Sequence, residues 1–193
     1  MKEIKVNAKK VLVVVDMVNG FVKEGNMADP KISHIIPECE RLVSKFLEDG
    51  YEVIYITDCH KEGCNEFSKF PVHCLEGTSE SQVVDELLKY IEDTIVIKKN
   101  STSAMFAKGF MDIINQMKDL EEVVAIGCCT DICVQNLVIP LANYFDEKDR
   151  KVKITVPVNA VETYDAPYHP HDEYNDNSFK FMRQNGINLV ERY

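Results

Sequence analysis

The chain contains no tryptophan, no long apolar run, no lysine-rich block and no internal repeat. Its first apolar stretch, VLVVV, follows a basic start but reaches only about five to seven residues before Asp16. That is at or below the low end of a signal-peptide core and far short of the roughly 20 residues that span a bilayer, so neither an export signal nor a membrane segment is expected. With no basic block to offset them, 32 acidic side chains against 22 basic ones leave a formal net charge of -10, which argues against nucleic acid as a partner. The lack of a repeat or low-complexity linker predicts a single domain over residues 1–193. A chain of that length with 45% hydrophobic residues can bury a core without a disulfide or metal staple. The seven cysteines are odd in number, lack a short regular spacing and include the adjacent pair Cys128–Cys129. Such usage fits a reducing compartment, so a cytoplasmic location is expected.

What is present is an alternation of strand-like and helix-like segments. Val11–Val15 is a continuous, mostly β-branched run, the pattern of a strand buried on both faces, because branched side chains are stiff and pack well on a pleat. Pro30 then opens a helical stretch in which Ile32, Ile35, Ile36, Leu42, Val43, Phe46 and Leu47 recur at helix-like intervals up to Gly50. Further strands are expected at Val53–Thr57, Thr94–Ile97, Val123–Ile126, Val152–Val156 and Ile187–Val190. Further helices are expected over Gln82–Tyr90, from Ser103, over Ile132–Phe145 and around Tyr174–Gln184. From about Asp58 to Ser81 no periodicity is visible, and connections of that length are usually functional or disordered. Strands alternating with helices predict a three-layer α/β/α fold with a mostly parallel central sheet, since every parallel strand needs a crossover. Asp16, Asp58, Lys99 and the cysteines of GCCTDICV then all fall just past the carboxyl ends of strands, the edge at which open α/β sheets bind ligands.

These residue types suit nucleophilic chemistry. A cysteine in the first turn of a helix is favoured as a thiolate by the exposed N–H groups there, and Cys133 fits if the helix starts near Asp131, with Thr130 or Asp131 as its cap. The competing role is a purely packed helix cysteine. Asp16 leaves an apolar strand, where a carboxylate is costly unless paired, and beside a thiol it could accept a proton. Lys99 could restrain that carboxylate and stabilise the charged nucleophile; which of Lys98 and Lys99 turns inward is open from sequence, and Lys98 could continue the outward face of the strand. A second constellation, Asp58, His60 and His73 with Glu66 between, offers nitrogen and oxygen donors suited to zinc, iron or manganese. Cys59, Cys64 and Cys74 form a rival thiolate set without the short paired spacing of a zinc knuckle.

Together, VLVVVDMVNGF, KNSTSAMF and GCCTDICV resemble the three signatures of the isochorismatase-like cysteine hydrolases, and the DCH…FPVHC segment is similar to the metal-binding loop of nicotinamidases within that family. The resemblance implies a triad of Cys133 as nucleophile, Asp16 as proton acceptor and Lys99 as positioning and charge-stabilising residue. It implies a cis peptide before Cys129, with the amides of Cys129 and Cys133 forming an oxyanion hole. It also implies one divalent metal, zinc ahead of iron or manganese, on Asp58, His60 and His73, with Glu66 near the position of an acidic fourth residue that only some members use. Phe21, Phe70 and Phe106 match positions that place aromatic rings around the substrate. Phe70 stands where tryptophan is common in the family. The implied activity is hydrolysis of nicotinamide to nicotinate and ammonia by a homo-oligomer. An amidase of N-carbamoyl or ureidoacrylate-like compounds is the enzymatic alternative, and a catalytically silent interaction protein the non-enzymatic one.

Overall fold

The apolar run of the first strand alternates between two cores. In the computed structural model, which describes residues 4–193, β1 (Lys10–Val15) sends Val11, Val13 and Val15 to one hydrophobic cluster and Leu12 and Val14 to the other. Successive side chains on a strand point to opposite faces, so a strand apolar at every position requires helices on both sides. One face is covered by α2 (Ile36–Glu48), through Leu42, Val43 and Phe46. The other carries α4 (Phe110–Gln116), α5 (Gln135–Glu147) and α6 (His171–Gln184), through Ile114, Leu137, Phe145 and Met182. Each such side chain, fully buried, contributes about 1.5–3 kcal/mol.

The remaining strands are β2 (Glu52–Asp58), β3 (Ile95–Lys99), β4 (Glu122–Cys128), β5 (Lys153–Pro157), β6 (Val161–Glu162) and β7 (Asn188–Val190). They form one seven-stranded sheet in the order β3-β2-β1-β4-β5-β7, with β6 added beside β4, and every pairing is parallel. The expected three-layer α/β/α fold is therefore present. Among the described residues, no helix is long and apolar enough to cross a membrane.

Several expected helices are shorter than their periodicity suggests. The stretch opened by Pro30 starts as a 3-10 turn over Pro30–Ile35, with the Asp29 carboxylate accepting from Lys31 N–H at 2.9 Å. The α-helix begins only at Ile36, because Pro37 lacks an N–H and is accommodated in a first turn. The Gln82–Tyr90 helix contracts to α3 (Asp85–Leu88), and a short α1 (Asn19–Val22) follows Asp16. The helix expected from Ser103 is a 3-10 turn, Ala104–Phe106; Gly109, at φ 90°, resets the chain before α4. β6 was not anticipated from sequence: two residues carry no periodicity, and only pairing with Gly127 and Cys128 makes them a strand.

Candidate active site

The order of the strands reverses beside β1, with β2 and β3 on one side and β4 on the other. The crevice beyond the carboxyl ends of β1 and β4 is thus the switch point at which such sheets bind ligands. Gly127 lets the two strands close up there: its φ is 112°, and a Cβ would lie 2.0 Å from the Val15 carbonyl oxygen. Asp16 leaves β1 at φ 50°, a left-handed conformation that aspartate tolerates better than most residues. Its Oδ1 accepts from the Asp58 N–H at 2.9 Å, and its Oδ2 lies 2.9 Å from Lys99 Nζ.

Parallel pairing sets Asp58 beside Lys99 in register, and Lys99 Nζ donates to Asp58 Oδ1 at 2.5 Å. The same ammonium sits 3.7 Å from Cys133 Sγ, so the thiol and the Asp16 carboxylate are gathered around one charge. Lys99 is the inward member of its pair; Lys98 is exposed and meets Glu76 at 3.1 Å. Cys133 stands on a single π turn, Thr130–Val134, ahead of α5. Neither Thr130 nor Asp131 caps the turn with its side chain, contrary to expectation; Cys129 occupies the cap position. Cys128 is fully buried, and the Cys128–Cys129 peptide is cis, as the resemblance implied.

All three triad members are buried. Burial pushes the Asp16 carboxyl up to about 6 against the pull of Lys99. Burial likewise drives the Cys133 thiol well above its ordinary value, with Lys99 opposing. For Lys99, burial disfavours the charge, yet Asp16 and Asp58 outweigh it and hold the ammonium well above the usual lysine range. A thiol that stays protonated at rest, gathered around the same ammonium as a carboxylate whose proton affinity lies near neutrality, is suited to proton transfer during attack.

Next to the triad, ligand atoms of Asp58, His60, Glu66 and His73 all lie within 4.8 Å of one another. His60 Nδ1 meets Asn100 Oδ1 at 3.0 Å, and His73 Nδ1 meets the Pro71 carbonyl at 2.7 Å. Both partners are acceptors, which places a ring proton on each Nδ1 and turns each Nε2 toward the carboxylate. Those Nε2 atoms face Asp58 Oδ2 at 3.3 and 3.4 Å, and His60 Nε2 is buried without a hydrogen-bond partner. Two imidazole nitrogens and two carboxylates converging on one point form a nitrogen and oxygen donor set that fits a divalent metal. The rival thiolates are not gathered: Cys64 Sγ lies 3.5 Å from Nδ1 of His60, the nitrogen turned to Asn100, not from Nε2. Among the described residues, no thiol belongs to the cluster.

Cys133 of the triad and Asp58, Glu66 and His73 of the quartet line one narrow cleft together with Cys129, walled further by Phe21, Met27, Phe70, Thr102, Ile132 and Tyr164. Phe21 and Phe70 both line this cleft. Phe106 does not: it is 85% exposed on its 3-10 turn and lines no part of the cleft. The isochorismatase domain model matches residues 10–192.

The chain belongs to the isochorismatase family. This family member is 31% identical to Nicotinamidase 1 of Arabidopsis thaliana over 179 residues, covering 82% of this chain and 71% of that protein. Among solved structures it resembles N-carbamoylsarcosine amidase from Thermoplasma acidophilum, with 27% identity, TM-score 0.75 and coverage of 94% and 95% of the two chains. The pyrazinamidase/nicotinamidase of Streptococcus mutans shares its fold at TM-score 0.80 and 22% identity, with coverage of 94% and 99%. It is accordingly a hydrolase of the isochorismatase and nicotinamidase superfamily.

Sequence reasoning missed several residues of this isochorismatase-family site. Tyr164 arrives from the loop after β6, and Met27 from the irregular segment before Pro30; neither segment has periodicity to read. Phe67 packs its ring 5.3 Å from that of His60 and 5.6 Å from that of His73. Its position one residue beyond Glu66, in a loop already suspected of holding a metal, was the available signal.

Proposed function

We propose that the chain is a metal-containing nicotinamidase, hydrolysing nicotinamide to nicotinate and ammonia through a thioester on Cys133. The observation that carries the reading is the joining of triad and metal quartet through one residue. Asp58 takes Lys99 on Oδ1 and faces both histidines with Oδ2. A flat ring with a nitrogen acceptor on one side and a carboxamide on the other fits a cleft with those two functions side by side, between Phe21, Phe70 and Tyr164.

In this reading the Cys133 thiol gives its proton to Asp16 as sulfur bonds to the carboxamide carbon. The amides of Cys129 and Cys133, at the cap and within the π turn, donate to the developing oxyanion, where hydrogen bonds gain strength as charge appears. The C–N bond then breaks, the nitrogen taking the proton from Asp16, and ammonia departs. Asp16 next removes a proton from water, whose oxygen attacks the thioester carbon; nicotinate leaves and the proton returns to the sulfur. Lys99 keeps Asp16 in place and offsets charge on the sulfur throughout. Zinc, ahead of iron or manganese, held by Asp58, His60, His73 and Glu66, would supply a Lewis acid that orients the ring nitrogen.

An amidase of N-carbamoyl compounds is the second reading, favoured by the 27% identity to an N-carbamoylsarcosine amidase. Ammonia release by purified protein with nicotinamide, pyrazinamide and N-carbamoyl substrates separates the two. Turnover of nicotinamide that disappears in Cys133→Ala is expected. Turnover of N-carbamoyl compounds alone rejects the first reading, and activity surviving Cys133→Ala rejects the thioester. Metal analysis of the same sample is expected to find about one divalent ion per chain, bound less tightly after His73→Ala.

A further inference from the structure

Asp131 is drawn away from the helix start that its sequence position suggests. Its Oδ1 accepts from the Thr163 hydroxyl at 2.6 Å and its Oδ2 from His169 Nε2 at 2.9 Å. His169 is buried between two tyrosine rings, stacked on Tyr164 at 3.8 Å and on Tyr174 of α6 at 3.6 Å. Its second nitrogen, Nδ1, faces the Tyr164 carbonyl at 3.0 Å. A neighbouring tie comes from α6, where the Ser178 hydroxyl donates to the Thr130 carbonyl at 3.1 Å. Thr163 and Ser178 are both buried.

The two ends of this network both reach the cleft. Asp131 lies in the π turn two residues before Cys133, and Tyr164 forms a wall of the cleft. We propose that Asp131, acting through His169 and Thr163, is a positioning residue that locks the nucleophile turn to the Tyr164 wall. Because its carboxylate is engaged sideways, it does not compete with substrate for the N–H groups at the start of the turn. Buried, mutually satisfied polar groups also hold a loop more rigidly than apolar contact, since any slip leaves one unpaired. The inference rests on the reading of Cys133 as nucleophile, and adds a reason why the turn before it stays in one orientation.

The test uses the full chain as His169→Phe, Thr163→Val and Thr163→Ser. Phenylalanine keeps a stacking ring and removes both ring nitrogens; valine keeps the threonine shape and removes the hydroxyl; serine keeps the hydroxyl. His169→Phe and Thr163→Val are each expected to lower kcat for nicotinamide about 10-fold or more, because small misplacements of a reacting group are costly. KM should move less than about threefold, since Phe21 and Phe70 hang on other segments and still meet the ring. Thr163→Ser should stay within about twofold of wild type in kcat. A second readout needs no substrate: the rate at which iodoacetamide alkylates Cys133, followed by peptide mass mapping, should rise about threefold or more in both disrupting variants. Wild-type kcat and wild-type alkylation in folded His169→Phe and Thr163→Val overturn the proposal, as does a loss in Thr163→Ser equal to that in Thr163→Val. If wild-type protein does not hydrolyse nicotinamide, the proposed function fails and alkylation alone decides the clamp.

Discussion

The sheet carries a cluster of buried charge at each end, and the two are built by opposite rules. At the amino edge Glu122 meets Lys10 at 3.1 Å and Lys153 at 2.7 Å, and accepts from the hydroxyls of Thr155 at 2.7 Å and Tyr193 at 2.9 Å. One carboxylate is thus shared by two lysines whose heads reach solvent. Burial alone would raise Glu122, but Lys153, Thr155, Lys10 and Tyr193 hold it down at about 2. At the carboxyl edge the ratio is inverted: Asp16 and Asp58 share the single buried Lys99. There Asp16 is pushed up to about 6, and His60 Nε2 faces Asp58 at 3.3 Å without a hydrogen bond. A cluster with surplus donors stabilises the fold; one with surplus negative charge costs stability and suits proton transfer and cation binding.

The largest expected effect comes from making the same change at both ends. Asp16→Asn should lower kcat for nicotinamide by about 10²–10⁴-fold, the usual worth of a positioned general base, whereas Glu122→Gln should leave kcat within about twofold. Stability should move the other way. Ionised Asp16 is disfavoured by burial, so its amide variant should be at least as stable as wild type. Glu122→Gln loses charge-assisted hydrogen bonds worth about 1.5–3 kcal/mol. Urea midpoints and ammonia release on the same preparations check both; a destabilised Asp16→Asn with an unaffected Glu122→Gln would remove the distinction between the ends.

Next come the lysines. Lys99→Ala leaves two buried carboxylates facing each other and should cost about 3–5 kcal/mol in metal-free protein. Lys10→Ala removes one of two partners at a half-exposed site and should cost about 0–1 kcal/mol. Equal shifts in denaturation midpoint would show that burial at the two edges is not energetically different.

A smaller effect separates the ends by pH. Glu122 is held below its ordinary value of 4.5, so its contribution is complete above that pH and is lost as pH falls through about 2. Asp16 is raised from 3.8 to about 6. The folded state therefore takes up its proton first, and the stability penalty of ionised Asp16 appears as pH rises toward 6. Catalysis needs the ionised form, so kcat/KM should climb as pH rises through about 6 and then level. A pH–rate profile checks the acid limb, and its persistence in Asp16→Asn would assign it elsewhere.

What could be read in advance divides along the same physical line. Asp16, Asp58, Lys99 and Cys133 were legible because each ends or follows a strand whose apolar pattern is unambiguous, and a parallel sheet brings all such ends to one edge. Asp131 was not: its type and position suit a helix cap, and only the fold brings Thr163 and His169 within reach of it. Tyr164 and Met27 lie in segments without a repeat, placed by contacts far away in the chain. The identity of an adjacent pair was open for Lys98 and Lys99, and the alternation of β3 settled it by turning Lys99 inward.

Phe70 and Phe106 sharpen the comparison at its finest grain, because both were assigned to the ring pocket by motif position and only one is there. Phe70 follows the Asn65–Ser68 turn of the metal loop, packs 6.4 Å from the ring of His73 and lines the cleft. Phe106 stands only a few residues beyond Lys99, but the 3-10 turn after β3 carries its side chain outward. Phe70→Ala should therefore raise KM for nicotinamide about 10-fold, the loss expected when a flat apolar wall of a few tens of Å² is removed. Phe106→Ala should change KM by less than about twofold in the monomer. Steady-state kinetics of the two variants at protein concentrations spanning any self-association decide the matter. A concentration-dependent KM in Phe106→Ala would mean that its ring completes a site on a second copy, and an unchanged KM in Phe70→Ala would mean that the ring of the substrate lies elsewhere in the cleft.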